Sequence, residues 1–296
     1  MKDISAIIVN YNSGHFLRRC VDSLLACTSD VEIIVVDNAS TDDSLEGVAA
    51  RPQVKLVLNQ ANKGFAAACN IGTAEATCDH LLFLNPDCSV EPETLSRLLK
   101  CLDSQVEVGM VGGYLANEDG SEQAGGRRAV PTPWRSLVRA TGLHRFANRW
   151  PRLFYDFYLH KQPLPQRPIE VEAISGACML VKREALQDVG LWDEAYFLHC
   201  EDLDWCMRFR VNGWKILFVP DARVTHALGV CSLSRPVFVE WHKHKGMMRF
   251  YRKFFRHQYP GVLMWLVAVG VWLRFGLVAM FKTVRRVGSG IGSGSR

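Results

Sequence analysis

Several absences narrow the reading of this chain before any motif is considered. None of its ten cysteines stands in a C-x-x-C pair, which removes zinc ribbons and thioredoxin-type redox centres. Cys20, Cys69 and Cys178 sit inside or beside apolar runs, and buried thiols of a reducing compartment fit them better than a disulfide framework. Neither G-x-G-x-x-G nor G-x-x-x-x-G-K-[ST] occurs, so the dinucleotide and P-loop fingerprints are missing. The stretch from Met1 to Val9 has no long apolar run ahead of a small-residue cleavage site. It leads directly into a strand-like segment, so no secretory signal is expected and the catalytic part is placed in the cytoplasm. No internal repeat is present.

Acidic residues are scarcest toward the C-terminus. Residues 235–296 carry 12 Lys and Arg against one acid, Glu240, whereas residues 1–234 carry 23 Lys and Arg against 29 Asp and Glu. The formal charge of +5 therefore hides a mildly acidic body and a strongly basic tail. Such a tail points to an anionic partner: phospholipid, nucleic acid or a phosphorylated substrate. With 48% apolar and 22% charged residues over 296 positions, the chain has globular composition and length enough for a full core.

The first half alternates short apolar runs with amphipathic segments. Strands are predicted over Ile4–Asn10, Glu32–Asp37, Lys55–Asn59 and Leu81–Asn85, and helices over Phe16–Ala26, Asp42–Ala50, Phe65–Ala76 and Glu91–Leu102. That rhythm implies βαβ units and a mostly parallel, doubly wound α/β sheet. Between Tyr114 and Arg167 the pattern loosens into Gly, Pro, Arg and aromatic residues, including Gly125-Gly126-Arg127-Arg128. A loop over a site and a plain surface insertion are both open there. Order returns over Val171–Val181, with helices predicted over Lys182–Val189 and Glu201–Asn212 and strand-like stretches over Ile216–Val219 and Ala222–His226.

Ligands of such sheets bind beyond the carboxyl ends of the strands. Three predicted strands end there in Asn10-Tyr11-Asn12, Asp37-Asn38-Ala39-Ser40 and Asn85-Pro86-Asp87. Turn and cap roles are open for each singly, since Asn and Asp favour both. Asp37 can accept from a base N–H or a ribose hydroxyl. Asp87 suits a hard divalent cation shared with substrate phosphates, because Mg²⁺ needs only one or two protein carboxylates. Glu201-Asp202-Leu203-Asp204 sets three acids in the first turn of a helix. A dipole role explains one or two of them; a carboxylate beside the apolar Tyr196-Phe197-Leu198 is also a candidate general base. His226 follows this cluster and could complete a metal site, although a lone His is often a capped or surface residue. Asn62-Lys63-Gly64-Phe65-Ala66 opens an alanine-rich helix whose small residues permit either close packing or close approach by a ligand.

Taken in order, Ile8-Val9-Asn10-Tyr11-Asn12, Val36-Asp37-Asn38-Ala39-Ser40-Thr41-Asp42, Asn62-Lys63-Gly64-Phe65-Ala66, Leu84-Asn85-Pro86-Asp87, Ser175-Gly176-Ala177, Val189-Gly190-Leu191-Trp192-Asp193-Glu194 and Glu201-Asp202-Leu203-Asp204-Trp205-Cys206-Met207-Arg208 resemble the family 2 glycosyltransferases, in particular their bacterial rhamnosyltransferase-like branch. The resemblance covers about residues 3–230. It implies a GT-A fold and inverting transfer from a nucleoside-diphosphate sugar, with dTDP-L-rhamnose suggested by the branch. Asp37 would hold base and ribose, with Asn10, Asn12, Asn38, Asn62, Gly64 and Asn85 lining the nucleotide-sugar site. Asp87 and His226 would bind Mg²⁺ or Mn²⁺, and Asp202 would deprotonate the acceptor with Glu201 in support. The D-x-D of the family stands here as Asn85-Pro86-Asp87, with one carboxylate in place of two. His199 replaces the aromatic residue often found two positions before the acid pair.

The tail has its own signature. Phe238–Gln258 combines an apolar stripe with a basic face, as interfacial helices do, and Val262–Phe281 is long and apolar enough to span a bilayer but for Arg274. Lys282, Arg285 and Arg286 keep that end on the cytoplasmic side. These features predict a catalytic domain over 1–234, membrane-associating helices over 235–287 and a flexible end over 288–296. Packing of the basic helix on the domain is the alternative. The expected site of action is the cytoplasmic face of the inner membrane, on a lipid-linked saccharide used in cell-surface polysaccharide synthesis. Two other classes compete. A nucleic-acid binder leaves Val262–Phe281 without a use, and no nucleic acid partner is expected; a non-catalytic sugar-nucleotide-binding subunit does not need Glu201-Asp202.

Overall fold

Strands rich in Ile, Val, Leu and Phe without polar alternation must be covered on both faces, and the central strands here are. The computed structural model describes residues 3–227 and 235–291, with side chains as far as Thr283. Its strands are β1 (Ile4–Asn10), β2 (Val31–Asp37), β3 (Val54–Leu58), β4 (His80–Leu84), β5 (Cys88–Val90), β6 (Val108–Ala116), β7 (Arg127–Arg128), β8 (Ile169–Glu170), β9 (Ala173–Ile174), β10 (Cys178–Lys182) and β11 (Lys215–His226). The helices are α1 (His15–Leu25), α2 (Phe65–Glu75), α3 (Thr94–Leu102), α4 (Pro133–Ala140), α5 (Arg183–Val189), α6 (Glu201–Val211), α7 (Pro236–Phe255) and α8 (Gly261–Ile291).

The main sheet runs β3-β2-β1-β4-β10-β6-β11-β5, with β8 paired to β11, while β7 and β9 form a small second ladder. The ladders joining β1 to β2, β1 to β4, β2 to β3 and β6 to β11 are parallel and include the longest ones; β10, β5 and β8 pair antiparallel. Alternate residues of β1 belong to opposite layers. Ile4, Ala6 and Ile8 pack with α1 and α3 through Leu17, Leu24, Leu95 and Leu98. Ile7 and Val9 pack with α2 and α6 through Ala66, Ala68, Cys69 and Trp205. The GT-A-type α/β architecture with a mostly parallel central sheet is thus present.

The helix predicted over Asp42–Ala50 is absent. The segment is a series of turns, with Glu46 N–H donating to Asp43 and Val48 N–H to Leu45. The Asp42 carboxylate is held instead by Gly14 N–H at 2.8 Å and by Ser44 Oγ at 2.6 Å, a side-chain-to-backbone competition that disfavours helix. The two late strand-like stretches form the single strand β11, and α3 begins at Thr94, after Pro92. Of the end expected to be flexible over 288–296, residues through Ile291 are helical and 292–296 lie outside the described residues. The expected boundary at 234 falls beside residues 228–234, which are also outside them.

Helix α7 packs on the sheet-bearing body. Phe250, Tyr251 and Phe255 are buried in the same core as Trp205 and Phe218, so the C-terminal part of the apolar stripe expected to enter a membrane interface is already covered, while Phe238 and Trp241 stay exposed. Its cations find acids of the body: Arg249 Nη2 lies 2.9 Å from Asp193, and Lys253 Nζ 2.7 Å from Asp204. Helix α8 returns antiparallel along α7, joined by Arg274 Nη1 to His244 Nε2 at 3.0 Å and Lys282 Nζ to Glu240 at 2.8 Å. Arg274 therefore turns its charge toward α7, while Val262, Trp265, Leu273 and Leu277 stay exposed. Residues Gly261–Thr283 have a mean hydropathy of 2.1 and are long and apolar enough to cross a membrane.

Asp204, fully buried, also accepts from Arg208 Nε at 2.8 Å and Tyr196 Oη at 3.1 Å. Removing it leaves Arg208 without its anion and Lys253 with Asp193 alone. Asp204→Ala is expected to lower the unfolding free energy by about 3 kcal/mol, the low end for a broken buried pair because both cations retain some solvent. Urea unfolding of the full chain checks this, and a change near zero would show that Asp204 does not hold α7 to α6.

Candidate functional site

Parallel strands of equal register deliver their last residues to one edge, and Asn10 pairs with Asp37 in the β1–β2 ladder. Both are buried. Asn10 Nδ2 donates to Asp37 Oδ1 at 2.8 Å and to Ser44 Oγ at 2.8 Å. Ser40 donates to the same carboxylate through its hydroxyl at 2.6 Å and through its N–H at 3.0 Å. Three donors leave Asp37 little spare acceptor capacity, concentrated on Oδ2. Asn12 (φ 50°) and Ala39 (φ 62°) adopt left-handed backbone here, locked by Thr41 N–H to Asn12 Oδ1 at 2.7 Å and Asn12 N–H to Ser40 Oγ at 3.0 Å.

Asn38 extends this network to the next loop. Its amide donates to Gly64 O at 3.2 Å and accepts from Asn59 Nδ2 at 2.9 Å. Asn62 Oδ1 accepts from Gly64 N–H at 2.9 Å, so the Asn62 carbonyl makes a local turn. A Cβ at Gly64 would come 2.7 Å from the Phe197 carbonyl oxygen. That position requires glycine because the segment leading to α6 lies against it.

At the end of β4, Asn85 N–H donates to Ala177 O at 2.9 Å. The turn that follows feeds β5, whose Cys88 pairs with His226 at the end of β11. This ladder brings His226 Nε2 within 3.2 Å of Asp87 Oδ1, with Cys88 Sγ near both. Gln123 Oε1 contacts His226 Nδ1 at 2.6 Å, which orients the ring and leaves Nε2 facing Asp87. The Cys88 thiol is a poor third ligand: burial pushes its pKa up, with the Asp87 charge adding to this, and it donates to Ala177 O at 3.5 Å. An oxygen and an imidazole nitrogen remain, a donor pair that suits Mg²⁺ or Mn²⁺ with further ligands from substrate and water.

The acid pair at the start of α6 faces the same edge. Asp202 Oδ2 pairs with Arg128 Nη2 of β7 and accepts from Gly176 N–H at 3.2 Å, while its Oδ1 accepts from Leu203 N–H at 2.7 Å. The loop 175–177 thus touches both groups, Asp202 through Gly176 and Asn85 through Ala177. Consecutive left-handed residues, His199 (φ 67°) and Cys200 (φ 71°), precede Glu201. Such non-glycine residues cost roughly 1–3 kcal/mol each and persist where surroundings impose them. Here α7 does so, since Gly246 abuts them with room for no Cβ: one would lie 2.7 Å from His199 O.

All eleven residues given site roles in the sequence lie along this edge, in two groups joined by loop 175–177. Asp204 stands apart as an internal ion-pair partner. Sequence reasoning missed Arg128 and Gln123, and it named Ser40 within Asp37-Asn38-Ala39-Ser40 without giving it a role of its own. Arg128 stood in view within Gly125-Gly126-Arg127-Arg128 but had no partner to suggest its use. Its neighbour Arg127 points the other way, to Glu122 at 2.7 Å.

Burial, and then the charge of Asp202, push Glu201 from its usual 4.5 up to about 8; its Oε2 has no hydrogen-bond partner among the described residues. Below pH 4.5 folded and unfolded chains both hold this proton. Between pH 4.5 and about 8 only the folded chain does, so this carboxyl lowers stability progressively as pH rises through that window. Glu201→Gln is expected to gain stability relative to the parent from the acid to the alkaline end of it, measured by urea unfolding. A difference independent of pH would show that Glu201 ionises as an ordinary carboxyl.

The profile of the family described as Glycosyl transferase family 2 matches residues 5–190, and that of Glycosyl transferase family group 2 matches residues 130–285, across the expected boundary at 234. The N-acetylglucosaminyl-diphospho-decaprenol L-rhamnosyltransferase of Mycobacterium tuberculosis is 31% identical over 241 residues, 76% of each chain. Among solved structures, the mannosyltransferase PcManGT of Pyrobaculum calidifontis, in complex with GDP-Man and Mn²⁺, superposes with a TM-score of 0.58 at 17% identity, covering 99% of this chain and 76% of that one. GalNAc-T7, solved with UDP, GalNAc and Mn²⁺, gives 0.57 at 21% identity over 77% of this chain, which spans only 44% of that structure. With the fold, the ordered motifs and the family profile in agreement, the chain belongs to glycosyltransferase family 2 and is a sugar-transferring enzyme.

Proposed function

We propose that this glycosyltransferase moves L-rhamnose from dTDP-L-rhamnose to a lipid-linked saccharide at the cytoplasmic face of a membrane. The observation that carries the reading is the convergence on one sheet edge of the Asn10–Asp37 network, the Asp87–His226 pair and the Arg128–Asp202 pair. The rhamnosyl and lipid-linked details rest on the similarity to the mycobacterial enzyme.

In this mechanism Asp37 meets the nucleoside with its remaining acceptor direction, and Asn12, Asn38, Asn62, Gly64 and Asn85 shape the surrounding wall. Asp87 and His226 would hold Mg²⁺ or Mn²⁺, which when bound neutralises charge on the departing diphosphate. Gln123 keeps the His226 ring turned toward Asp87. Asp202 accepts the proton of the acceptor hydroxyl as its oxygen bonds to the anomeric carbon and the bond to diphosphate breaks. Glu201, pushed up to about 8, holds its proton near neutral pH. Arg128 stands opposite the pair, bonded to Asp202. Helix α8 lies along α7, and its exposed apolar side supports attachment within one leaflet better than a free-standing span.

Calorimetry with dTDP-, UDP- and GDP-sugars, with and without Mn²⁺, tests the donor site. Metal-assisted binding of dTDP-L-rhamnose is expected, with loss in Asp37→Ala; no binding of any nucleotide sugar would overturn the reading. Asp202→Asn is expected to bind donor normally and lose about 10²–10⁴-fold in kcat. Gln123→Leu is expected to raise the Mn²⁺ concentration for half-maximal activity by about 10–100-fold. An unchanged metal requirement would remove His226 from the ligand set.

A further inference from the structure

Residues 129–167 carry seven Lys and Arg against a single acid, Asp156. Arg135 and Arg139 are used internally, paired with Glu172 and Asp156. Arg145, Arg149 and Arg152 are exposed and have no ion pair among the described residues. Interleaved with them, Trp134, Leu137, Phe146, Trp150 and Leu153 are each between 44% and 55% exposed. Large apolar side chains concentrated beside unpaired cations are not ordinary solvated surface; this is the composition of a face that sits at the boundary between lipid headgroups and acyl chains.

The fold places this patch next to the tail. Tyr251 Oη of α7 contacts Ser136 Oγ of α4 at 2.6 Å. One cavity is lined jointly by Trp134, Arg152, Leu153 and Tyr259, and Tyr259 lies two residues before α8. The exposed apolar side of α8 begins at Val262 and Leu263, so the two surfaces meet.

We propose that residues 134–153 form a second membrane-contact surface, which seats the catalytic body on anionic phospholipid beside the α8 attachment. The inference rests on the membrane attachment proposed above. Trp134, Leu137 and Trp150 enter the interface while Arg145, Arg149 and Arg152 meet lipid phosphates. Two contacts at separate points restrict rotation of the body about α8. Because Arg128 lies six residues before Trp134, they also set the height of the Arg128–Asp202 pair above the membrane.

Hydrogen exchange of the full chain tests this on phosphatidylcholine vesicles and on phosphatidylcholine–phosphatidylglycerol vesicles. Amides of 261–283 are expected to be protected on both. Those of 143–154 are expected to be protected more strongly on the anionic membrane, with the difference lost in Arg145→Gln/Arg149→Gln/Arg152→Gln. Partitioning of that variant to anionic vesicles should fall by about 100-fold. A Leu137→Ser/Trp150→Ser variant should lose the same protection without a change of charge. Protection of 261–283 with none at 143–154 overturns the second surface and leaves the attachment by α8 standing. Protection of neither segment overturns both. Protection of 143–154 by soluble saccharide diphosphate in the absence of vesicles would assign the patch to acceptor and overturn the membrane reading.

Discussion

Strands covered on both faces can show polar groups only where they leave the sheet, and this constraint fixes the edge on which the site is built. Apart from the Ser5–Glu32 pair near their start and His80 at the start of β4, the side chains of β1, β2 and β4 belong to the two apolar layers until their last residues, and their shared parallel register makes those residues neighbours. Asn10 and Asp37 are register partners, and the chain emerging from β4 reaches the same edge. The rest of the site is assembled on that edge by elements far away in sequence. Strand β11 brings His226 back through its ladder with β5, and the loop after β9 supports both Asn85 and Asp202.

Charge in the C-terminal region is divided between two uses. Arg249 and Lys253 of α7 satisfy Asp193 and the buried Asp204, so part of the basic excess belongs to folding. Arg274, the interruption in the apolar segment, faces a histidine of α7; burial lowers the His244 pKa, which keeps Nε2 a proton acceptor. The apolar side of α8 is thereby left continuous. Helix α7 packs closely on the body, because its glycine at 246 permits contact with the backbone that leads into the acid pair.

The acid pair sits in costly surroundings. Two left-handed residues precede it, Glu201 is buried with an unpartnered oxygen, and Asp202 depends on an arginine from the β7–β9 ladder. Arrangements of this kind persist when neighbouring packing over-determines them. Here the neighbours are α7 on one side and loop 175–177 on the other.

Much of this was legible in the residues themselves. Apolar runs ending in Asn or Asp identify buried strands and the edge where they stop, since burial on both faces leaves no other place for a polar group. Asp37 and Asp87 follow from that pattern, and the Glu201-Asp202 pair from an excess of acids in the first turn of one helix. The Asp42–Ala50 turns did not follow, because the Asp42 side chain is claimed by a backbone N–H far away in sequence, at Gly14. Arg128, Gln123 and the burial of Phe250, Tyr251 and Phe255 on α7 were likewise decided by tertiary structure alone. Each depends on a partner from a separate element, and local periodicity carries no information about which charges and apolar faces meet once the chain has folded.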